Sequence, residues 1–464
     1  MSDGTKKGTF LIFGKKIRNV PFFLLLASAL VRPAAAESIA FVGVKLIPMD
    51  AERVLEDQTV IVRDRRIERI GHRGDIEVGD HLQTVAGEGH YLMPGLSEMH
   101  AHVPAGDRAY LERVLFLYVA NGITTVRGML GEPSHLDLRR AIADGRIVGP
   151  RLYTSGPSFN AQSVDDPDAA VAMARDQERA GYDFLKIHPG LTRAEFEALA
   201  SVANELHMPF AGHVSTSVGL QGALAAGQAS IDHLDSYMQA LVPGNATVQM
   251  DAGFFGFELA GDAAEARIAA VARQTAAADV WNVPTQTLIE NLVLPVDAEE
   301  MRRRPELRYM PPDTVDQWAA AKRQFLADPG YDSEQARRYV ELRRVLILAL
   351  HEAGAGILLG SDAPQVFNVP GFSAHRELGL LVAAGLTPYE ALRAGTAAPA
   401  RFFGAADTFG IIAEGLEADL VLLEANPLED IANASRIAGV MLRGRWLPRE
   451  AIDARLRELD FAGN

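Results

Sequence analysis

The chain has 464 residues, 48% hydrophobic and 23% charged, a globular balance that excludes an intrinsically disordered protein. A net charge of −15 argues against nucleic acid as a partner, and the absence of cysteine excludes disulfides, thiolate metal sites, a cysteine nucleophile and a lipoprotein anchor. Any metal must then be held by histidine, carboxylates or modified side chains.

The chain opens with a leader pattern. Lys15, Lys16 and Arg18 precede an apolar run from Val20 to Val31, and "RPAAAES" offers small residues for a signal peptidase cutting after Ala36. The run is short for a membrane span. Residues 1–36 therefore read as a signal peptide, and the mature protein as exported, periplasmic or secreted, with no stable membrane partner after cleavage; a leader kept as an uncleaved anchor is the alternative. Residues 37–93 read as short β-hairpins: "SIAFVGVKLI", then "TVIVRDRRIERIG" with a turn at Asp64-Arg65.

From Pro94 the texture changes. Apolar strand runs at 95–102, 122–129, 149–156, 183–190, 209–216, 229–236, 280–289 and 355–364 alternate with helical stretches at 192–207, 263–278, 313–326, 333–353 and 375–384. Buried strands alternating with helices mean parallel βαβ units, and eight repeats predict a (β/α)8 TIM-like barrel over 94–404. After residue 405 the β texture returns in "GIIAEGLEADLVLLEANPLED" and "IAGVMLRGRWL". Segments 37–93 and 405–448 are expected to form one small β-sandwich interrupted by the barrel, with 449–464 as a C-terminal tail. Segments 237–279 and 290–353 exceed ordinary loop length and read as functional insertions.

Chemistry in such a barrel sits at the C-terminal strand ends. There the sequence places His100 and His102, Lys186, His213, His233 and Asp362. Alternation puts His100 and His102 on one face, as a chelating pair requires, although such a pair alone is also an ordinary pair of imidazoles. His213 or His233 alone reads as a hydrogen-bonded structural histidine, Asp362 in "GSDAP" as a turn or cap, and Lys186 as a lysine paired with a carboxylate. Coincidence at successive strand ends favours one metal site over independent accidents.

The motifs "YLMPGLSEMHAH", "GITTVRGM", the lysine strand, the two single histidines, "GSDAP", "HRELGLLVAAGLTPYEALRAGTAAPARFFG" and "GIIAEGLEADLVLLEANPLED" together resemble the amidohydrolase superfamily, in its imidazolonepropionase-like and prolidase-like branch. The resemblance implies that His100, His102 and Asp362 bind one metal and His213 and His233 a second. Lys186, carboxylated by CO2, would bridge the two as a carbamate. It further implies two divalent ions, zinc first, a bridging hydroxide as nucleophile, Asp362 as proton carrier, and cleavage of an amide C–N bond in a small molecule such as an N-acyl amino acid or dipeptide. The same site would also serve lactone, ester or organophosphate hydrolysis, and a non-catalytic metal-binding protein is the remaining alternative.

Three positions differ from the family's usual pattern. Glu98 and Gly128 stand where aspartates are common, and Ser215 where prolidase-like members carry a tyrosine. Candidate substrate contacts are His188, Tyr153, Tyr237, Gln286 and Arg127, while His375 and Arg376 read as packing or capping residues. The arginines of "MRRRPELRYMPP" suggest either a substrate carboxylate or a solvated helix face. The small-molecule substrate's identity and any homo-oligomer are left open by the sequence.

Overall fold

The computed structural model describes residues 38–244 and 253–461, and the expected signal peptide lies outside them. Strands β1 (Ile39–Leu46), β2 (Leu55–Arg63), β3 (Arg66–His72), β4 (Gln83–Ala86) and β5 (Tyr91–Pro94) precede the alternating region. Asp64 and Arg65 both take left-handed backbone, the geometry of a two-residue hairpin turn between β2 and β3.

The alternating region contributes β6 (Leu96–Ala101), β7 (Ile123–Gly128), β8 (Arg151–Thr154), β9 (Leu185–Ile187), β10 (Phe210–Gly212), β11 (Ser230–Asp232) and β12 (Trp281–Val283). After it come β13 (Leu420–Leu423), β14 (Ile437–Leu442) and β15 (Arg445–Pro448).

The N- and C-terminal pieces do pair: β13 runs antiparallel to β5, with Val421 opposite Met93. Their hydrogen bonding makes one eight-stranded mixed sheet, ordered β15-β14-β13-β5-β1-β2-β3 with β4 on β1. Alternation gives this sheet two apolar faces. Leu420 and Leu422 pack with Phe41, Val60 and Leu92, while Val421 and Leu423 join the large core beneath the helices. The segment expected as a tail contains a helix, Arg449–Leu459, which buries Ile452, Leu456 and Leu459.

The βα region holds two parallel sheets, β6-β7-β8 and β9-β10-β11-β12. A parallel bridge between Ser155 and Phe184 links them on one side. On the other, residues 356–363 bond to both: Asn282 N–H donates to Gly356 O (2.8 Å), Met99 N–H to Leu359 O (2.7 Å) and Asp362 N–H to His100 O (2.9 Å). The eighth predicted strand is thus a set of bridges and not a regular strand. Its Gly360 passes so close that a Cβ there would meet Val283 Cγ1 at 2.4 Å and His100 N at 2.9 Å, and Asp362 is left-handed (φ 63°).

The other strands are shorter than the apolar runs suggest. The run 280–289 ends as a strand at Val283, turns at left-handed Thr285 (φ 47°) and becomes a helix, Gln286–Val293. Buried Glu377, on the helix Phe372–Ala383, starts that helix by accepting from the N–H groups of Gln286 (2.8 Å) and Thr287 (2.7 Å).

Glu377→Ala strands two buried donors and is expected to lower unfolding free energy by about 1–3 kcal/mol. Urea denaturation checks this, with Glu377→Gln expected to recover part of the loss.

Candidate active site

The six residues proposed from the sequence converge where the C-terminal ends of β6, β9, β10 and β11 meet the 356–363 segment. His102 Nε2 lies 3.1 Å from Asp362 Oδ1, His100 Nε2 lies 3.6 Å from the same oxygen, and His233 Nδ1 lies 3.8 Å from Asp362 Oδ2. Ring centroids of His100 and His233 are 4.5 Å apart, those of His213 and His233 4.7 Å. His100, His102 and Asp362 present ligand atoms all within 4.8 Å of one another, a grouping able to hold a metal ion.

Local sequence explains how these side chains arrive. His213 and His233 each stand one residue beyond a three-residue strand, and His233 (φ 62°) and Leu234 (φ 53°) turn the chain with left-handed backbone. Such conformations in non-glycine residues persist only where surrounding structure fixes them. Gly212 (φ 122°) makes room for the lysine, since a Cβ there would come within 2.9 Å of Lys186 Cδ and 2.5 Å of Ile187 O.

Burial governs the electrostatics. It pushes His102 down to about 3 and holds His100 and His233 well below the ordinary imidazole range, with Lys186 adding to the effect at each. These rings are therefore neutral, with lone pairs free to bind a cation. Burial also pushes the fully buried Lys186 ammonium down to about 8 and the Asp362 carboxyl well above its usual range. Several ring nitrogens are fixed from behind, which directs the opposite nitrogen into the site. Thr285 Oγ1 meets His233 Nδ1 at 2.8 Å and Asp235 Oδ2 meets His213 Nδ1 at 3.3 Å; the Gln365 amide nitrogen, 2.8 Å from His102 Nδ1, positions that ring by donating to it.

Two carboxylates escaped the sequence reading. Asp232 Oδ2 lies 2.9 Å from His100 Nδ1, off the hydrogen-bonding direction, and 3.9 Å from Lys186 Nζ. Asp235 holds His213. Both flank His233 in "SIDHLDS", a density of acids beside a histidine that could have marked them. Glu98 accepts from the N–H groups of His100 (3.1 Å) and Ser361 (2.7 Å), so it ties the two ligand-bearing segments together.

The expected substrate contacts divide. His188 stays half-buried, its ring 5.1 Å from that of His213. Arg127, Tyr237 and Gln286 are fully buried and engaged with other residues of the chain. Arg127 pairs with Asp232 (3.1 Å) and donates to Met99 O (2.6 Å) and Ser230 Oγ (2.9 Å). The Tyr237 hydroxyl donates to Asn282 Oδ1 (2.6 Å), and Gln286 Oε1 accepts from Arg343 (2.9 Å). Tyr153 stacks on Phe403 at 3.7 Å, a packing contact. His375 bonds to Asn121 O and Arg376 to Glu306, as packing residues. In the arginine-rich segment, Arg302 pairs with Asp316 and Arg304 donates to Asn291.

The amidohydrolase family model matches residues 91–447, and the chain belongs to that family. It is a hydrolase acting on carbon–nitrogen bonds. The ochratoxinase of Aspergillus niger is 26% identical over 443 residues, covering 86% of this chain and 83% of that protein. Among solved structures, bottromycin amidohydrolase superposes with a TM-score of 0.72 at 25% identity, covering 92% of this chain and 91% of that one. A protein assigned as a prolidase from Bifidobacterium longum superposes with a TM-score of 0.68 at 25% identity, covering 92% and 99%.

Arg127→Ala would remove the nearest charge partner of buried Asp232, leaving Lys186 and Ser230, and is expected to cost about 3 kcal/mol of stability, read by chemical denaturation. A raised KM at unchanged stability would instead support the substrate-contact assignment.

Proposed function

We propose that this chain is an exported hydrolase that uses two divalent cations to cleave an amide C–N bond in a small molecule, an N-acyl amino acid or dipeptide-like substrate. One observation carries the reading: four imidazoles, Asp362 and Lys186 converge on one buried spot, where His100 Nε2 and Lys186 Nζ have no hydrogen-bond partner among the described residues. The link to ochratoxinase and the prolidase-like structures supports an amide as the bond cleaved.

The donors fit the ions. Imidazole nitrogens and carboxylate oxygens suit zinc first, then manganese, cobalt or iron. His100, His102 and Asp362 would hold one ion and His213 with His233 the other. Lys186 would join them as its CO2-derived carbamate, which needs the free amine that burial favours and turns a repelling cation into an anionic oxygen donor. When bound, such ions supply Lewis-acid polarisation of the scissile carbonyl and lower the pKa of water.

The chain's own residues do the rest. Asp362, as the carboxylate, would take the proton given up by the attacking water and pass it to the leaving nitrogen. Asp235, Thr285 and Gln365 hold the imidazoles in place, and Glu98 fixes the His100 and Ser361 backbones. We read the two parallel sheets, with their bridges and the 356–363 segment, as one (β/α)8 ring whose C-terminal rim carries this site. Export follows from the leader motif at 1–36.

Metal analysis is expected to find two ions per chain, and chelation to abolish amide hydrolysis; full turnover by metal-free protein would overturn the reading. Lys186→Ala is expected to lose more than about 100-fold in kcat/KM, with partial recovery on adding short carboxylic acids. N-terminal sequencing of protein recovered outside the cytoplasm is expected to begin at Glu37.

A further inference from the structure

The 3-10 segment Phe254–Leu259 lies within the long insertion at 237–279. Its backbone is left-handed at Phe255 (φ 49°, ψ 40°) and Gly256 (φ 84°). Two contacts hold it there. The Tyr339 hydroxyl donates to Phe255 O at 2.7 Å, and a Cβ on Gly256 would meet Met238 Cβ at 2.5 Å, so only glycine allows this approach. The result is a ring set flat against two site imidazoles: 4.7 Å from His233 at 25° and 5.7 Å from His213 at 19°. Unlike those histidines, Phe255 keeps part of its surface exposed.

Phe255 packs against the main core and still presents part of its ring outward. Phe255 offers no donor, acceptor or charge, so what it brings to the site is an apolar aromatic surface beside the reacting centre. Aromatic ring contacts continue outward, from Phe254 to Phe325 and Phe257. Phe254 contacts Phe255 at 4.5 Å and borders a cavity of about 580 Å³ whose lining mixes Phe257, Phe325 and Tyr331 with Glu258, Gln324 and Asp328. Against the face of Phe255 itself an aromatic group gains stacking and buried area.

We infer that Phe255 is a specificity-determining residue that selects amides bearing an aromatic or bulky apolar group next to the scissile bond. The inference rests on the proposed function for the identity of the bond cleaved.

The test uses the metal-loaded full chain and two series: N-acetyl-, N-butyryl- and N-benzoylglycine, and N-acetylglycine, -leucine and -phenylalanine. In at least one series the wild type is expected to favour the aromatic member by about tenfold or more in kcat/KM, mainly through KM. Phe255→Ala is expected to bring that ratio to within about threefold, with Phe255→Leu intermediate.

A second readout is independent of turnover. Calorimetry is expected to show benzoate or phenylalanine binding the wild type more tightly than acetate or alanine, and Phe255→Ala losing that difference while retaining its metal. An equal loss across both series, no aromatic preference in the wild type, or loss of metal from Phe255→Ala would overturn the inference. Absence of amide hydrolysis with aromatic binding intact would instead overturn only the proposed function.

Discussion

Asp232 is where the buried charges of this molecule meet. The Arg127 guanidinium stands 3.1 Å from one oxygen, and His100 Nδ1 and Lys186 Nζ stand 2.9 and 3.9 Å from the other. All four groups are buried. His100 is neutral, and burying any one of the other three as an ion alone costs several kcal/mol, so Asp232, Arg127 and Lys186 survive as a set. Burial opposes ionisation of Asp232, yet Arg127 and then Lys186 hold its carboxyl below the usual range. The ion pair also joins β7 of one parallel sheet to β11 of the other, and the Met99 carbonyl brings in β6. One charge pair thus locks together the strands that carry His100, His102 and His233.

Backbone strain collects around the same spot. His233, Leu234, Ser236, Thr285 and Asp362 are all non-glycine residues in left-handed conformation. Each lies where a strand or bridge gives way to a loop. The strain turns a side chain away from the alternation of the strand and toward the site, and buried hydrogen bonds hold it: Thr285 on His233, Gln365 on Asp362 and His102. Glu98 adds a tie that the family resemblance did not predict, because its longer side chain reaches both the His100 and Ser361 amides.

The ligand residues were legible because they break a rule locally. Histidine, lysine and aspartate at the close of apolar runs are costly unless something pairs them, and that cost can be read one segment at a time. Pairings through space cannot be read so. Arg127 and Asp232 are separated by 105 positions, so Arg127 looked like a free strand-end cation and Asp232 like a neighbour of a histidine. The hydrophobic period showed that β-segments exist but not where their ladders stop. Hence Gln286 was placed on a strand, when the left-handed turn at Thr285 had already started a helix. The hairpin at Asp64-Arg65 was legible because turn chemistry is local.

The insertions follow from the same logic. The helix Ser333–Glu352 carries Tyr339 and Arg343, four residues apart and therefore on one face. Arg343 is fully buried and donates to His233 O (2.7 Å), Pro284 O (2.8 Å) and Gln286 Oε1 (2.9 Å), which fixes the turn that presents His233. Tyr339, one turn earlier, holds the carbonyl of Phe255. One helical face thus sets both an imidazole of the site and the ring stacked on it. Because the two are anchored to a common element, a shift of that helix moves the aromatic surface and the imidazole together. A change in this insertion would therefore alter the aromatic surface and the placement of His233 at once.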